Sequence, residues 1–268
     1  MLEKILICYS QSKDPKRECV NKLRDILETK YKITDITIYK VEDKIETVEK
    51  FDMAFSIGGD GSMLRTIHLV PDSPVIGINL GRKGFIATIE PNNLEEELEK
   101  VFSAKYSVNV TSFITGLVNG SFYDAVNDIT IGKKDFLKTI HLELYVDNNL
   151  VGSYICDGML VSTAFGSTAY NRALNNTIVH PKSPVYIITP IGTADSEFKS
   201  LIVHHDSSIT IKVLENSQSS DIIVGFDGTQ KVVELKNNYE IEIGRSPVSY
   251  KTVQLNGYNY YKNLRDKK

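Results

Sequence analysis

Residues 56–65 read Ser-Ile-Gly-Gly-Asp-Gly-Ser-Met-Leu-Arg, and this short run constrains the fold more than any other part of the chain. The apolar stretch before it, Met53-Ala54-Phe55-Ser56-Ile57, reads as a buried strand, while Met63, Leu64, Ile67 and Leu69 after it recur at helical spacing. A glycine-rich turn therefore joins a strand end to a helix start, the junction from which parallel α/β layers are built. Bare backbone N–H groups and the positive end of a helix make such a turn a holder of phosphate. Glycine permits the close approach and positive φ this requires. Asp60 is the unusual member, because a carboxylate in a phosphate loop repels its own ligand. It makes sense if the acid holds Mg²⁺ or takes a proton from a hydroxyl undergoing phosphorylation. The plainer reading is an ordinary turn in which Asp60 caps the helix. The loop lacks the Lys-Ser/Thr that closes a P-loop and the Gly-x-Gly-x-x-Gly spacing of a dinucleotide fold.

Periodicity divides the chain. Lys4 to Tyr9, Asp35 to Lys40, Met53 to Ile57 and Val75 to Asn79 read as strands. Asp14-Pro15 reads as cap and first residue of a helix whose apolar face is Val20, Leu23, Ile26 and Leu27. Pro91-Asn92-Asn93 opens a second helix with Leu94, Leu98, Val101 and Phe102 on its apolar stripe. Strands alternating with helices predict a parallel α/β domain over residues 1–104. After Lys105 strand follows strand. Asn119-Gly120 separates Phe113–Val118 from Phe122–Val126, and Asp147-Asn148-Asn149 separates Ile140–Val146 from Leu150–Ile155, both hairpin signals. Further runs (Val185–Thr189, Ser208–Leu214, Ile222–Phe226, Glu240–Ile243, Val248–Leu255) predict a β-rich, sandwich-like second domain over residues 105–257. The tail 258–268 is too short for its own unit and is expected to pack back on the first domain.

With 31 basic and 34 acidic residues interspersed, the net charge of −3 gives no sign of a nucleic-acid partner. No apolar stretch approaches the roughly 18 residues of a membrane helix, and Met1-Leu2-Glu3-Lys4 leads into a strand without a signal peptide. Cys8, Cys19 and Cys156 are scattered and lack metal spacing, so they read as free thiols in a reducing cytoplasm. Lys267-Lys268 reads as a solvated tail. His204-His205 invites a metal reading, but neighbours in a strand point to opposite faces, so a surface pair is expected.

A second cluster lies in residues 157–170, Asp-Gly-Met-Leu-Val-Ser-Thr-Ala-Phe-Gly-Ser-Thr-Ala-Tyr. Uncharged hydroxyls around Gly166 suit a purine or carboxamide edge, and Tyr170 adds an aromatic face with a polar tip. By itself the run also fits a helix N-cap cluster.

The core loop Gly58-Gly59-Asp60-Gly61-Ser62 resembles the Gly-Gly-Asp-Gly-Thr signature of a kinase superfamily that includes NAD kinases, diacylglycerol kinases and 6-phosphofructokinases. The rest of the chain resembles the NAD kinase family specifically. That family's Asp-Gly-(apolar)3-Ser-Thr-Pro-Thr-Gly-Ser-Thr-Ala-Tyr is matched from Asp157 to Tyr170, with Ala164 for Pro and Phe165 for Thr. Its Asn-Glu is Asn127-Asp128, and its Asn-x-Gly-x-x-Gly-Phe runs from Asn79 to Phe85. Its Thr-Pro-Ile is Thr189-Pro190-Ile191, and its Asp-Gly-Gln is Asp227-Gly228-Thr229. These landmarks fall in order over most of the chain.

The resemblance implies ATP-dependent phosphorylation of the adenosine ribose 2′-hydroxyl of NAD, giving NADP, with a divalent metal such as Mg²⁺. It makes Asp60 the base or metal-linked carboxylate and turns Gly58, Gly59, Gly61 and Ser62 to phosphate, with Asp60 and Gly61 also contacting NAD. Asn127 and Asp128 would hold ribose hydroxyls; Phe165, Thr168, Ala169 and Tyr170 would line the adenine side. Asp157 would lie towards the nicotinamide, Phe85 would pack on the dinucleotide, and the protein would be a homotetramer or homodimer. Departures from the family are Asp128 (one methylene short of Glu), Phe165, Asn175-Asn176 for Gly-Gly, Lys199-Ser200 for Arg-Pro, and Ile155 for Arg. Rival readings are a diacylglycerol-type lipid kinase, a phosphofructokinase, and a dinucleotide-binding sensor with impaired catalysis.

Overall fold

The computed structural model describes residues 2–43, 49–81, 84–135, 137–193, 199–215, 217, 221–235 and 240–266. Arg82-Lys83 and the Lys267-Lys268 pair lie outside the described residues. The chain forms two compact units, Met1–Thr111 with Ser249–Lys268, and Ser112–Val248.

The first unit alternates as its periodicity demands: β1 (Lys4–Tyr9), α1 (Glu18–Thr29), β2 (Asp35–Lys40), β3 (Met53–Gly58), α2 (Asp60–Leu69), β4 (Val75–Asn79), β5 (Ala87–Ile89) and α3 (Leu94–Phe102). Its strands pair in parallel in the order β5-β4-β3-β1-β2. Every residue of β3 and β4 is buried, as strands of a parallel sheet covered by helices must be. Val20, Leu23 and Leu27 of α1 and Leu94, Leu98 and Val101 of α3 form one core with Ile5, Ile7, Phe55, Ile57 and Ile78. Each such side chain contributes about 1.5–3 kcal/mol by leaving water.

The start of α1 differs from expectation. The helix begins at Glu18, not Pro15, and Arg17 before it adopts φ 57°. The Asp14 carboxylate still satisfies helix donors, the N–H groups of Glu18 (2.8 Å) and Val20 (3.0 Å), but across an intervening turn. That turn is closed by Arg17 N–H on the Asp14 carbonyl at 3.1 Å.

The second unit follows through β6 (Tyr106–Val118), β7 (Ser121–Ala125), β8 (Asp128–Lys133), β9 (Ile140–Val146), β10 (Asn149–Cys156), β11 (Gly158–Thr163), α4 (Tyr170–Asn175), β12 (Val185–Ile191), β13 (Leu201–His204), β14 (Ile209–Val213), β15 (Ile222–Phe226), β16 (Lys231–Glu234) and β17 (Glu240–Leu255). Strands β10-β9-β14-β17 form one antiparallel layer, and β13-β12-β11-β8-β15-β16 form another. Leu142, Leu144, Ile209 and Ile211 from the first layer join Ile129, Ile131, Met159, Val161 and Val224 from the second in one core. Two inner faces sharing a core make this unit a β-sandwich. The hairpin at Asn119-Gly120 has φ of 52° and 81°, and that at Asp147-Asn148 has 50° and 63°, as tight two-residue turns require.

The expected runs Glu240–Ile243 and Val248–Leu255 are one strand of 16 residues. Its early part pairs with β14 and its late part reaches β4 at Thr252, so the unit boundaries fall at 111/112 and 248/249, inside β6 and β17. The sequence division at 104/105 and 257/258 instead follows the polar segments beside those strands. A last helix, α5 (Tyr260–Asp266), belongs to the first unit, where Asn263 donates to the Gly84 carbonyl at 3.2 Å.

Candidate active site

In the first unit the loop 58–62 turns from β3 into α2. Gly58 is fixed by packing, because a Cβ there would lie 2.2 Å from the Ser62 hydroxyl oxygen. Ser62 itself is buried, with its N–H on the Gly59 carbonyl at 3.0 Å. Gly59 and Gly61 differ, since a Cβ on either would meet nothing within 4 Å. Both therefore border open space at the N-terminus of α2.

Asp60 is not the helix cap; Gly59 holds that place, with no side-chain cap. The Asp60 carboxylate accepts three successive backbone N–H groups instead: Phe85 on Oδ2 at 2.9 Å, and Ile86 and Ala87 on Oδ1 at 3.1 and 3.2 Å. Gly84 makes this approach possible, because a Cβ there would stand 2.3 Å from Asp60 Oδ1. The loop acid thus ties the segment carrying Phe85, itself half-buried, to the start of α2. A cavity of about 230 Å³ lies alongside, lined by Asn79, Gly84, Ala87, Tyr258 and Asn263 among others.

In the second unit, a parallel arrangement centres on Asp227, which sits at φ 48° just after β15. Its carboxylate accepts the N–H groups of Val126 (2.9 Å to Oδ2), Asn127 (2.6 Å) and Asp128 (3.4 Å). The Asn127 carbonyl is held from its other side by Thr163 N–H at 2.8 Å, Thr163 Oγ1 at 3.2 Å and Ser162 Oγ at 3.3 Å. Gly166 passes so close that a Cβ would lie 2.1 Å from that carbonyl oxygen. The hydroxyl-bearing end of β11, with Gly166 packed beside it, therefore locks the Asn127 backbone in place. In the sequence Asp227 stands only as a landmark, although Asp227-Gly228 (φ 48° and 69°) is a turn signal.

Asp128 is buried beside Asp227, and among the described residues no donor reaches its carboxyl. Burial first, and the Asp227 charge second, push it up to about 7. Phe165, Thr168 and Ala169 are half-buried around a short 3₁₀ turn, and Tyr170, first residue of α4, is exposed. Asp157 is exposed, pairs with Lys133 and lies against Gly192, where a Cβ would be 2.3 Å from Oδ2. Asn176 adopts φ 60° as the C-cap of α4, which spares the need for glycine there. Asn175 uses its amide on Thr189 Oγ1 at 3.0 Å and on Ser200, two hydroxyls that also bond each other at 2.9 Å. The thiols of Cys8, Cys19 and Cys156 are buried and pushed up to about 12, 11 and 11, so they are inert packing groups.

An α/β unit with an acid-bearing glycine loop on a helix N-terminus, together with a β-sandwich unit that fixes an Asn-Asp pair, defines a two-domain kinase. The ATP-NAD kinase N-terminal domain matches residues 9–106 and the ATP-NAD kinase C-terminal domain residues 126–255. The NAD kinase of Treponema denticola is 32% identical across 99% of this chain and 96% of its own length. That of Christiangramia forsetii is 31% identical across 83% of this chain and 77% of its own. An NAD kinase from Archaeoglobus fulgidus, solved in complex with ATP, superimposes with a TM-score of 0.73 at 25% identity over 98% of both chains. Yeast NADH kinase, solved with NADH, shares the fold at TM-score 0.83 and 18% identity, over 99% of this chain and 87% of that one. The chain belongs to the ATP-NAD kinase family, and its function is that of an NAD kinase, a phosphotransferase. The lipid-kinase and sugar-kinase readings fall with that membership.

Proposed function

We propose that this chain transfers the γ-phosphoryl group of ATP to the adenosine ribose 2′-hydroxyl of NAD, giving NADP, with Asp60 as the group that takes the hydroxyl proton. The observation that carries this reading is the Asp60 carboxylate at the bare, open mouth of the Gly59–Gly61 loop. Its bonds from the N–H groups of Phe85, Ile86 and Ala87 fix the carboxylate in one orientation there. A base held in place before the substrate arrives loses no freedom when the proton moves.

Gly59, Gly61 and the α2 N-terminus face phosphate in this reading, with Gly58 and Ser62 shaping the turn behind them. Asn127 and Asp128 bind ribose hydroxyls. Phe165, Thr168, Ala169 and Tyr170 line the adenine side, Asp157 lies towards the nicotinamide, and Phe85 packs on the dinucleotide. An Asp128 carboxyl that no described donor reaches suits this task, because a ribose hydroxyl supplies the missing hydrogen bond. A divalent ion such as Mg²⁺ supplies charge neutralisation on the transferring phosphoryl group. Asp60 would hold that ion only in the alternative role the sequence offers it, as a metal-linked carboxylate in place of a proton acceptor. The protein works as a homotetramer or homodimer in the cytoplasm. Support for the oligomer and the compartment is the family resemblance, and free buried thiols fit a reducing compartment.

The test combines NADP formation from NAD, ATP and Mg²⁺ with the Asn127→Ala variant. The reading expects NADP as product and a KM for NAD raised more than that for ATP. Each lost hydrogen bond to a ligand hydroxyl costs on the order of 1 kcal/mol. Equal effects on both substrates would remove Asn127 from the NAD site, and no NADP from the wild type would leave the dinucleotide-binding sensor.

A further inference from the structure

The turn after β13 gathers donors that the family's reaction does not use. Adjacent histidines diverge only while the strand continues, and β13 stops at His204, paired with Val185 of β12. His205 N–H turns onto the Pro184 carbonyl at 3.0 Å, and Ser207 N–H closes a turn on the His204 carbonyl at 3.0 Å. That turn folds His205 and Asp206 back beside His204, contrary to the opposite-face expectation. One ligand atom from each of the three residues lies within 4.8 Å of the other two. His204 Nδ1 accepts the Asp206 N–H in a long bond of 3.3 Å, which an ion would displace, and stands 3.6 Å from Asp206 Oδ2, while His205 Nε2 stands 3.5 Å from Asp206 Oδ1.

We propose that His204, His205 and Asp206 form a binding site for a borderline divalent ion of the zinc class. Ligands at about 2.0–2.1 Å from a tetrahedral zinc ion stand about 3.3 Å apart, so His204 Nδ1 and Asp206 Oδ2 need only tenths of an ångström to close, and rotation of the half-exposed His205 ring closes the remaining spread of up to 4.8 Å within the trio. Two imidazoles and one carboxylate match zinc, cobalt or nickel chemistry and do not match Mg²⁺, which prefers oxygen and water. Arg245 of β17 donates to Asp206 Oδ1 at 3.1 Å and, through Nε, to Ser112 Oγ at 3.1 Å. The guanidinium leaves Oδ2 for the ion and fixes the carboxylate from outside, while its charge holds the affinity down. The side chains are half-exposed to exposed, which gives the ion an entry path and leaves its remaining position to water.

The experiment titrates Zn²⁺ and Co²⁺ into the full chain, with calorimetry for stoichiometry and the visible spectrum of bound Co²⁺ for geometry. The proposal expects one saturable site, a tetrahedral nitrogen–oxygen spectrum, and binding that persists in excess Mg²⁺. His204→Ala and His205→Ala are each expected to abolish saturable binding, whereas His180→Ala keeps it. Folding of each variant is checked by circular dichroism before titration. A thiolate-to-cobalt charge-transfer band would move the metal to a cysteine and overturn the proposal. Binding unchanged in folded His204→Ala and His205→Ala, or no saturable binding to the wild type, would overturn it as well.

Discussion

Asp60 in the first unit and Asp227 in the second each grip three successive backbone N–H groups, at residues 85–87 and 126–128. Both sit in glycine-bearing turns just after a strand, and both pin a segment that carries a family landmark. Their surroundings differ. Asp60 is half-exposed, so one carboxylate both anchors Phe85 and faces the open loop. Asp227 is buried with a second carboxylate, Asp128, beside it, and anchoring is separated from the proposed substrate binding. Burial of two acids together makes the second arrangement a store of electrostatic repulsion.

Removing the anchors measures that difference most strongly. Asp227→Ala strands N–H groups in a buried place, and charged-acceptor hydrogen bonds are worth about 1.5–3 kcal/mol each. The variant is expected to lose about 3 kcal/mol or more in urea unfolding, even after relief of the repulsion on Asp128. Asp60→Ala is expected to lose about half as much, because water reaches the half-exposed Phe85 and Ile86 N–H groups. Equal losses would mean that burial does not separate the two anchors.

The repulsion itself is read through pH. Asp128 titrates near 3.8 when unfolded and at about 7 when folded, so the native state binds more protons between those values. Stability from this group is fully present below about pH 4, falls as pH rises to about 7, and is level above that. The slope in that window reaches at most about 1.4 kcal/mol per pH unit. Asp128→Asn should be more stable than wild type at pH 8, with the gap closing by pH 4 in parallel thermal melts. A gap independent of pH would show that Asp128 carries no strained charge.

The glycines beside the anchors give the smallest contrast. Gly166→Ala drives a methyl onto the Asn127 backbone carbonyl, which three donors already hold. Gly84→Ala meets the end of the Asp60 side chain, which gives way only by loosening the bonds its Oδ1 accepts from the Ile86 and Ala87 N–H groups. Overpacking costs about 1–3 kcal/mol, so Gly166→Ala is expected at the top of that range and Gly84→Ala lower by about 1 kcal/mol. The reverse order by chemical denaturation would contradict the rigidity assigned to the second anchor.

Much of the fold is legible in the residues. The strand-turn-helix at 53–69 shows because a buried parallel strand is continuously apolar and the helix after it is periodic. Asn119-Gly120 marks its hairpin because few residues other than Asn and Gly adopt positive φ twice in succession. The α1 start is not legible, since Asp14 caps through a turn that no local pattern encodes. Gly244 to Pro247 looks like a break, yet β17 runs through it. The anchors are hidden for a deeper reason: an Asp that binds backbone N–H groups 25 or 100 residues away leaves no local signature. Asp60 stands out for its chemistry and Asp227 as a landmark, and neither grip exists until the fold brings the segments together.

Asp60→Asn separates proton transfer from anchoring at the glycine loop. The amide keeps one acceptor oxygen and the size of the side chain but loses the carboxylate that takes a proton. Turnover of NAD to NADP is measured beside NAD binding by calorimetry, on protein shown to be folded. The account predicts a fall in kcat of about 10²–10⁴-fold, the usual contribution of a general base, with NAD binding preserved. Turnover equal to that of the wild type would contradict it and leave Asp60 as an anchor alone.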